Sequence, residues 1–130
     1  MKQLLFRPLH ENITQIDWLW ARDVMKKVFP QDVLDDFKRR REGAKIFSRI
    51  IQPRSLDASP PNPALDKKKH RERRFAPKQF TYHASIMLFG DKISFISSRR
   101  ENFGVLIESK EFTDACRVLF EGFWQLTEKS

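Results

Sequence analysis

The sequence has few of the residues that build disulfides, metal sites and phosphate-binding loops. It contains one cysteine, Cys116, which excludes an internal disulfide and which we expect to be a buried, reduced thiol. Its three histidines are scattered along the chain, and its four glycines form no glycine-rich phosphate loop. We therefore expect neither a metal ion nor another cofactor.

Long hydrophobic runs are also missing. No apolar stretch approaches the roughly 20 residues that a membrane-spanning helix needs. The apolar run near the N-terminus is too short for a signal peptide, and Arg7 and Pro8 interrupt it. These absences predict a cytoplasmic protein with no membrane partner.

What the chain does have is charge and phenylalanine. Lysine and arginine number 25 against 17 acidic residues, so the net charge is +8, which favours polyanionic partners such as nucleic acids. The low mean hydropathy of −0.58 reflects the 32% of charged residues, and the twelve phenylalanines can still fill a core. A length of 130 residues predicts a single domain over 1–130.

The N-terminal half shows helix and strand signals in alternation. Gln3–Phe6 is predicted as a short buried strand, and a helix is predicted from near Thr14 or Asp17 up to Phe29-Pro30. A second helix is predicted from Pro30 to Gly43, with the basic residues at 38–41 stabilising its C-terminal end. The β-branched stretch Lys45–Pro53 then predicts a strand, which together with the helix indicates an α/β unit.

Residues 53–79 are predicted to form a long loop within the domain, with a short strand near Arg73–Phe75 as the alternative. The segment holds four of the seven prolines in its first part and then a basic run. The run either contacts phosphates or is a solvated loop, and the scarcity of nearby aromatic residues favours the loop. Its candidate nucleic-acid contacts are Lys67, Lys68, Lys69, Arg71, Arg73 and Arg74.

The C-terminal part carries the clearest local signals. Two apolar runs flank Gly90-Asp91, which predicts a β-hairpin because glycine readily adopts the positive φ of a tight hairpin turn. A third strand is predicted at Phe103–Glu108, followed by a helix capped by Ser109. The apolar face of that helix is wide enough to pack on a sheet and also to form an interface; it comprises Phe112, Ala115, Cys116, Leu119, Phe120, Phe123 and Leu126.

The helix predicted from near Thr14 or Asp17 contains two neighbouring tryptophans, Trp18 and Trp20. Residues two apart on a helix point about 200° away from each other, so we expect only one of the pair in the core. The other is a candidate for an interface or for stacking on the face of a sugar.

The sequence from the GDK turn through ISFIS and FGVLIESKEF to LFEGFW resembles the sensor domain of TrmB-type transcriptional regulators. The segments FKRRREGAKIFSRIIQP and RERRFAP add to the resemblance, which covers Asp32–Glu128. It implies an α/β fold: a phospholipase D-like half domain with a mixed β-sheet of about five strands, flanking helices and a C-terminal helix. The chain is expected to lack the family's helix-turn-helix and the first part of the phospholipase D-like domain. An incomplete sheet favours a homodimer.

The residues that phospholipase D-type catalysis requires can be compared with those present in this sequence. Such catalysis needs a histidine nucleophile, a lysine two residues later, an acid that orients the histidine, and a following Gly/Ser pair. His83 stands at the histidine position and Ser97-Ser98 at the pair, but Ser85 and Gly90 occupy the lysine and acid positions. We therefore expect no enzyme activity, and His83, Ser97, Ser98 and Trp20 become candidate ligand-binding residues.

The resemblance thus implies a non-enzymatic effector-sensing or dimerisation domain of a TrmB-like transcriptional regulator. Effectors in this family are often sugars, and DNA would be contacted through a helix-turn-helix that this chain lacks. The alternative is a stand-alone basic protein that binds nucleic acid through the run Lys67–Arg74.

Overall fold

A computed structural model describes residues 1–54, 60–98 and 100–127. The sheet consists of β1 (Gln15–Leu19), β2 (Phe47–Gln52), β3 (Arg71–Phe75), β4 (Ser85–Phe89), β5 (Lys92–Ile96) and β6 (Gly104–Glu108). The helices are α1 (Lys2–Phe6), α2 (Arg22–Val28), α3 (Gln31–Gly43), α4 (Pro63–Lys68) and α5 (Lys110–Leu126). A 3₁₀ turn at Arg7–His10 follows α1.

The six strands form one mixed sheet in the order β3-β2-β1-β4-β5-β6. The first three pair in parallel, β4 runs antiparallel to β1, and β4, β5 and β6 continue as an antiparallel meander. The parallel half needs crossover connections, which α2, α3 and α4 provide. Strands β3 and β6 are the two edges of the sheet.

Each face of the sheet carries its own hydrophobic core because successive side chains of a strand point to opposite faces. On one face, Trp18 and Met87 pack with Phe6 of α1 and Phe37 of α3. On the other, strand residues such as Ile51, Leu88 and Ile93 pack with Phe120 and Trp124 of α5. The result is a sheet covered on both sides, which confirms the predicted α/β class.

The local signals in the C-terminal part are confirmed. Gly90 adopts φ +57° in the turn between β4 and β5, where a side chain would strain the backbone. The Ser109 hydroxyl accepts a hydrogen bond from the Phe112 backbone N–H at 3.2 Å and so caps α5. The predicted helix at 30–43 and strand at 45–53 are also present, as α3 and β2.

Four expectations from the sequence are wrong. The residues Gln3–Phe6 belong to helix α1, because four apolar residues do not distinguish a strand from a helix turn. The predicted helix starting near Thr14 is strand β1 followed by the separate helix α2. The predicted loop at 53–79 contains helix α4; the short strand predicted near Arg73–Phe75 is present as β3, and residues 55–59 lie outside the described part. The sheet has six strands where about five were expected.

Helix α5 packs on the sheet with only part of its apolar surface. Phe120 and Trp124 are buried, and Cys116 is half-buried beside them. Most of the other large apolar side chains of this helix are exposed, namely Phe112, Val118, Leu119 and Leu126. No helix in the described ranges is long and apolar enough to cross a membrane.

Candidate anion-binding site

A pocket of about 380 Å³ lies between helix α3 and the parallel half of the sheet. Its floor is formed by alternate residues of three strands, which share one face because their registers place Trp18 beside Ile50 and Ile50 beside Arg73. One pair further along, Ser48 lies beside Arg71. The strand order therefore places Arg71 and Arg73 on the same face of the sheet as Trp18 of β1, with β2 between them.

The lining is strongly cationic. No carboxylate lines the pocket among the residues that the structure describes. The cations come from three helices or their ends and from the edge strand; they are Arg22, Lys26, Lys38, Arg41, Lys69, Arg71 and Arg73. Seven like charges around one small cavity repel one another, so an anion bound there would stabilise the arrangement.

A buried carboxylate behind the edge strand positions two of these cations. Asp66 of α4 accepts a hydrogen bond from Nε of Arg71 and another from Nε of Arg73, both at 2.9 Å. The helix that carries Asp66 begins with Asn62, whose side chain accepts from the Leu65 backbone N–H at 3.1 Å. The guanidinium groups are therefore held in fixed positions beside the pocket.

Arg41 of α3 is buried and held by backbone carbonyls. Its Nη1 donates to the carbonyl oxygens of Ile46 and His70, and its Nη2 to that of Lys69, at 2.8 to 2.9 Å. Burial lowers the pKa of Arg41, although the nearest carboxylate, that of Glu42, partly opposes this effect. Arg41 thus ties α3 to the residue before β2 and to the end of α4, and backbone carbonyls accept all of its hydrogen bonds in the described part of the chain.

The electrostatic effect of the crowded cations is visible at Lys38. Burial lowers the pKa of the Lys38 ammonium, and the nearby positive charges of Arg71, Lys69 and Arg22 lower it further. Only Asp35 acts in the opposite direction. Burial and Arg71 likewise lower the pKa of Arg73. Both groups are in an environment that disfavours their charged forms, so an anion beside them would be favourable.

Two buried polar atoms of the pocket floor have no hydrogen-bond partner among the described residues, namely the indole Nε1 of Trp18 and the hydroxyl Oγ of Ser48. Each side chain is only 1% exposed. A buried polar group without a partner costs about 1–3 kcal/mol, so such groups point to a bound water or ligand. Both residues line the pocket.

Trp20 lies beside Trp18 in the same pocket. The backbone N–H of Trp20 donates to the Ile51 carbonyl at 2.9 Å, which extends the strand pairing past the end of β1. The two indoles meet edge to face with ring centroids 5.1 Å apart. The expectation that they point away from each other is therefore wrong, because residues two apart on an extended chain share a face.

Comparison with known proteins defines the fold. No protein-family model and no curated protein matches the chain. Among solved structures, it is similar to TrmBL2, an archaeal chromatin protein with a novel mode of DNA binding, with a TM-score of 0.56 and 18% identity. It is also similar to Nuc, a phospholipase D family member from Salmonella typhimurium, with a TM-score of 0.56 and 11% identity. The chain has the phospholipase D-like fold.

The extent of the two alignments refines this result. Each covers 98% of the chain, which spans 49% of the TrmBL2 chain and 90% of the Nuc chain. The resemblance to the phospholipase D-like domain of TrmB-type regulators is thus confirmed at the level of the fold. Nearly all of the Nuc chain has a counterpart here, whereas about half of the TrmBL2 chain has none.

At the phospholipase D-type positions, the chain has a histidine and a serine pair without the family's lysine and acid. The His83 side chain is 80% exposed, and its Nδ1 lies 3.9 Å from a carboxylate oxygen of Asp23. Ser85, at the position of the family's lysine, is buried, and its hydroxyl accepts a hydrogen bond from the Ala21 backbone N–H at 3.0 Å. Gly90 turns the hairpin and offers no acid.

Ser97 and Ser98 serve the loop between β5 and β6. The Ser97 hydroxyl donates to the Phe103 carbonyl and accepts from the Phe103 N–H, both at 2.8 Å. The Ser98 hydroxyl accepts from the Glu101 N–H at 3.4 Å. Of the four ligand-binding candidates from the sequence, only Trp20 lines the cationic pocket, and His83, Ser97 and Ser98 do not.

The basic run of 67–74 divides among three surfaces. Lys69, Arg71 and Arg73 line the pocket, whereas Lys67 and Lys68 are exposed on α4. Arg74 points to the opposite face of the sheet, where its guanidinium lies 4.0 Å from the centroid of the Trp124 ring. The run is therefore not a single phosphate-contacting arm.

Sequence reasoning missed Lys38, Arg41 and Trp18 as pocket residues, and it missed Asp66 as the residue that holds two of the pocket arginines. The sequence does contain one indication. Lys38 and Arg41 are spaced four and seven residues after Leu34, so they lie on the apolar face of the helix, where cations are unusual. All four basic residues at 38–41 were instead assigned to the helix end. That interpretation suits Arg39 and Arg40, which pair with Asp36 on the outer surface.

Proposed function

We propose that this chain is the effector-sensing domain of a TrmB-like transcriptional regulator that acts in the cytoplasm, and that its cationic pocket binds the effector. One observation carries the proposal: seven cations and two tryptophans line a pocket of ligand size, and no carboxylate among the described residues neutralises it from within. The phospholipase D-like fold, shared with the DNA-binding protein TrmBL2, supports a regulatory setting.

The pocket is built to couple a ligand to several elements at once. Its cations belong to α2, α3 and β3, and Asp66 connects two of them to α4. A ligand that draws these elements together favours one arrangement of the domain over others, which is a population shift. DNA contact in the complete regulator would then be made by a separate helix-turn-helix.

We include in this proposal that the domain is not an enzyme. Without a lysine beside His83 there is no fixed cation for a phosphate at that position, and without the acid the imidazole is not oriented. An assay with a chromogenic phosphodiester tests this. We expect no turnover above background, and hydrolysis that disappears in His83→Ala would contradict it.

The proposal further includes a homodimer formed through α5. Phe112, Leu119 and Leu126 are exposed and seven residues apart, so they follow one apolar stripe along the helix. A second copy of the same helix would cover the stripe isologously.

Effector sensing is tested by thermal unfolding of the full chain with a panel of neutral and anionic metabolites. A ligand at one hundred times its Kd stabilises the folded state by about 2.7 kcal/mol. We expect at least one ligand to raise Tm, and Arg73→Gln to remove the effect. The control Lys68→Gln has the same change of charge on an exposed site outside the pocket. If no ligand raises Tm, the proposal is wrong.

The second candidate is direct nucleic-acid binding. It is supported by the net charge of +8, by the exposure of Lys67 and Lys68 on α4, and by the similarity to TrmBL2. Gel shifts with duplex DNA at two salt concentrations test it, because phosphate contacts release counter-ions and weaken with salt. Salt-sensitive binding that is lost in the double variant Lys67→Gln/Lys68→Gln, but kept in Arg73→Gln, would favour this candidate.

A further inference from the structure

Resting on the proposed sensing function, we infer that the pocket is specific for a small phosphomonoester whose phosphate lies between Lys38, Arg71 and Arg73 and whose ring stacks on Trp20. The ring belongs to a sugar or to a nucleobase, because either can lie flat on an indole. The site is distinct from the phospholipase D-type position of His83, which does not line this pocket.

The charge of the pocket selects a dianion. Asp66 supplies one negative charge behind Arg71 and Arg73, and Arg41 is satisfied by carbonyls. Asp35 lies near Lys38 and Glu42 near Arg41, but the seven lining cations outnumber these three carboxylates, so the pocket keeps a net positive charge. A phosphomonoester brings about −1.5 to −2 charges at pH 7 and three acceptor oxygens. A neutral sugar would leave the repulsion between the cations in place.

The orientation of the arginines suits a phosphate group. Asp66 occupies Nε of both Arg71 and Arg73, so their terminal nitrogens are the donors that remain. One terminal nitrogen of Arg73 also reaches the Pro60 carbonyl at 3.4 Å. Within the described residues, the terminal nitrogens of Arg71 have no hydrogen-bond partner. Guanidinium groups held in this way bind phosphate oxygens without first losing side-chain freedom.

The unpaired polar atoms of the floor indicate oxygen atoms on the remainder of the ligand. The Trp18 indole N–H is a donor only, so the group that faces it must be an acceptor. The Ser48 hydroxyl can donate or accept. A ring bearing hydroxyl or carbonyl oxygens supplies an acceptor for the indole N–H and a partner for the hydroxyl.

The size of the pocket excludes polymers. A volume of about 380 Å³ lies at the lower end of the range for small-molecule sites, roughly 300–1,000 Å³. A sugar phosphate or a mononucleotide fits this range, and a DNA duplex does not.

Isothermal titration of the full chain tests the inference with five probes: inorganic phosphate, glucose, glucose 6-phosphate, adenosine and AMP. We expect one of the two phosphomonoesters to bind at least tenfold more tightly than its unphosphorylated partner and than inorganic phosphate. The two arms decide between a sugar and a nucleobase. A phosphomonoester and its unphosphorylated partner binding with equal Kd would overturn the inference, as would no binding of either phosphomonoester.

Variants locate the binding in this pocket. Lys38→Gln and Arg73→Gln each weaken the preferred phosphomonoester at least tenfold, and Lys68→Gln changes its Kd less than twofold. Lys38→Gln leaves the Asp66 contacts intact, so it remains informative if Arg73→Gln unfolds. Trp20→Ala weakens the phosphomonoester but not inorganic phosphate. An equal loss of binding in Lys68→Gln and Lys38→Gln would show that general surface charge, and not the pocket, is responsible.

The same titrations distinguish this inference from the proposed function. Tight binding of glucose or adenosine that depends on Trp20 but not on Arg73 would leave the sensing function standing and would refute the phosphomonoester. If no probe binds and no metabolite of the panel raises Tm, both ideas fail, and nucleic-acid binding becomes the leading function.

Discussion

Arg49 on β2 and Asp17 on β1 form a bidentate pair across neighbouring parallel strands. Nε donates to Oδ1 at 2.9 Å and Nη2 donates to Oδ2 at 3.1 Å. The guanidinium also lies 5.1 Å from the centroid of the Phe120 ring and forms hydrogen bonds with Glu121, so it joins the sheet to α5. Burial opposes the charge of Arg49, but the hydrogen bonds to both carboxylates outweigh this and raise its pKa.

Removing the buried carboxylate should be costly. We expect Asp17→Asn to lower the free energy of unfolding by roughly 3 kcal/mol, because it leaves a largely buried guanidinium without its main partner. The matched variant Glu121→Gln removes the half-exposed partner of the same guanidinium and should cost less than about 1 kcal/mol. Urea unfolding measures both, and equal losses would contradict this division.

The contact between Glu121 and Arg49 also predicts a dependence on pH. The hydrogen bond from Arg49 lowers the pKa of Glu121 below its ordinary value, although partial burial opposes the effect. The contact therefore stabilises the fold fully above the ordinary glutamate pKa, and its contribution is lost as the pH falls through the lowered value. We expect the difference in unfolding free energy between the wild type and Glu121→Gln to shrink on acidification. A constant difference from pH 7 to pH 3 would refute this.

The crowded cations predict a trade between stability and binding. In the free chain, Lys38 is partly buried among positive charges, and its lowered pKa reflects this unfavourable setting. We expect Lys38→Met to raise the free energy of unfolding by about 0.5–1 kcal/mol while it weakens binding of the anion. Arg39→Met, on the exposed side of the same helix, is the control and should not stabilise the chain. A Lys38→Met chain less stable than wild type would count against the proposed repulsion.

The exposed stripe on α5 predicts a variant that separates self-association from folding. Leu119 is 73% exposed, so Leu119→Arg should leave Tm nearly unchanged. If α5 forms the dimer interface, the same variant should weaken self-association at least tenfold in sedimentation velocity. Phe103→Arg introduces a charge at an exposed apolar site in the loop between β5 and β6, outside α5, and is the control. A wild-type chain that is monomeric at high micromolar concentration would remove the dimer from the proposal.

The sequence predicts the elements whose signals are local. The hairpin around Gly90, the cap at Ser109 and the helix ending at Gly43 each depend on residues within one turn. Strand β1 is not predicted because the charge of its central residue, Asp17, is compensated mainly by Arg49 on another strand, and no local pattern indicates that contact. Because α2 begins soon after β1 ends, the sequence pattern predicts a single helix over both elements.

The pocket was beyond sequence reasoning for the same physical reason. Strand β3 has the composition RERRF, which lacks the apolar alternation of a half-buried strand. Parallel pairing with β2 stabilises it as a strand, and so do the hydrogen bonds from two of its arginines to Asp66. Of the predicted ligand-binding residues, only Trp20 lines the pocket, and it was predicted from its aromatic character. The other pocket residues come from parts of the chain far apart in sequence.

The charged edge strand β3 has a second consequence, for colloidal behaviour. An exposed sheet edge invites another chain to add a strand, and charged side chains are a common defence against such aggregation. Four consecutive charged residues, Arg71 to Arg74, occupy this edge, while the opposite edge, β6, reads GVLIE. The arginines that make the pocket cationic therefore also oppose the addition of a strand from another chain at the β3 edge. We expect variants that neutralise them to aggregate more readily.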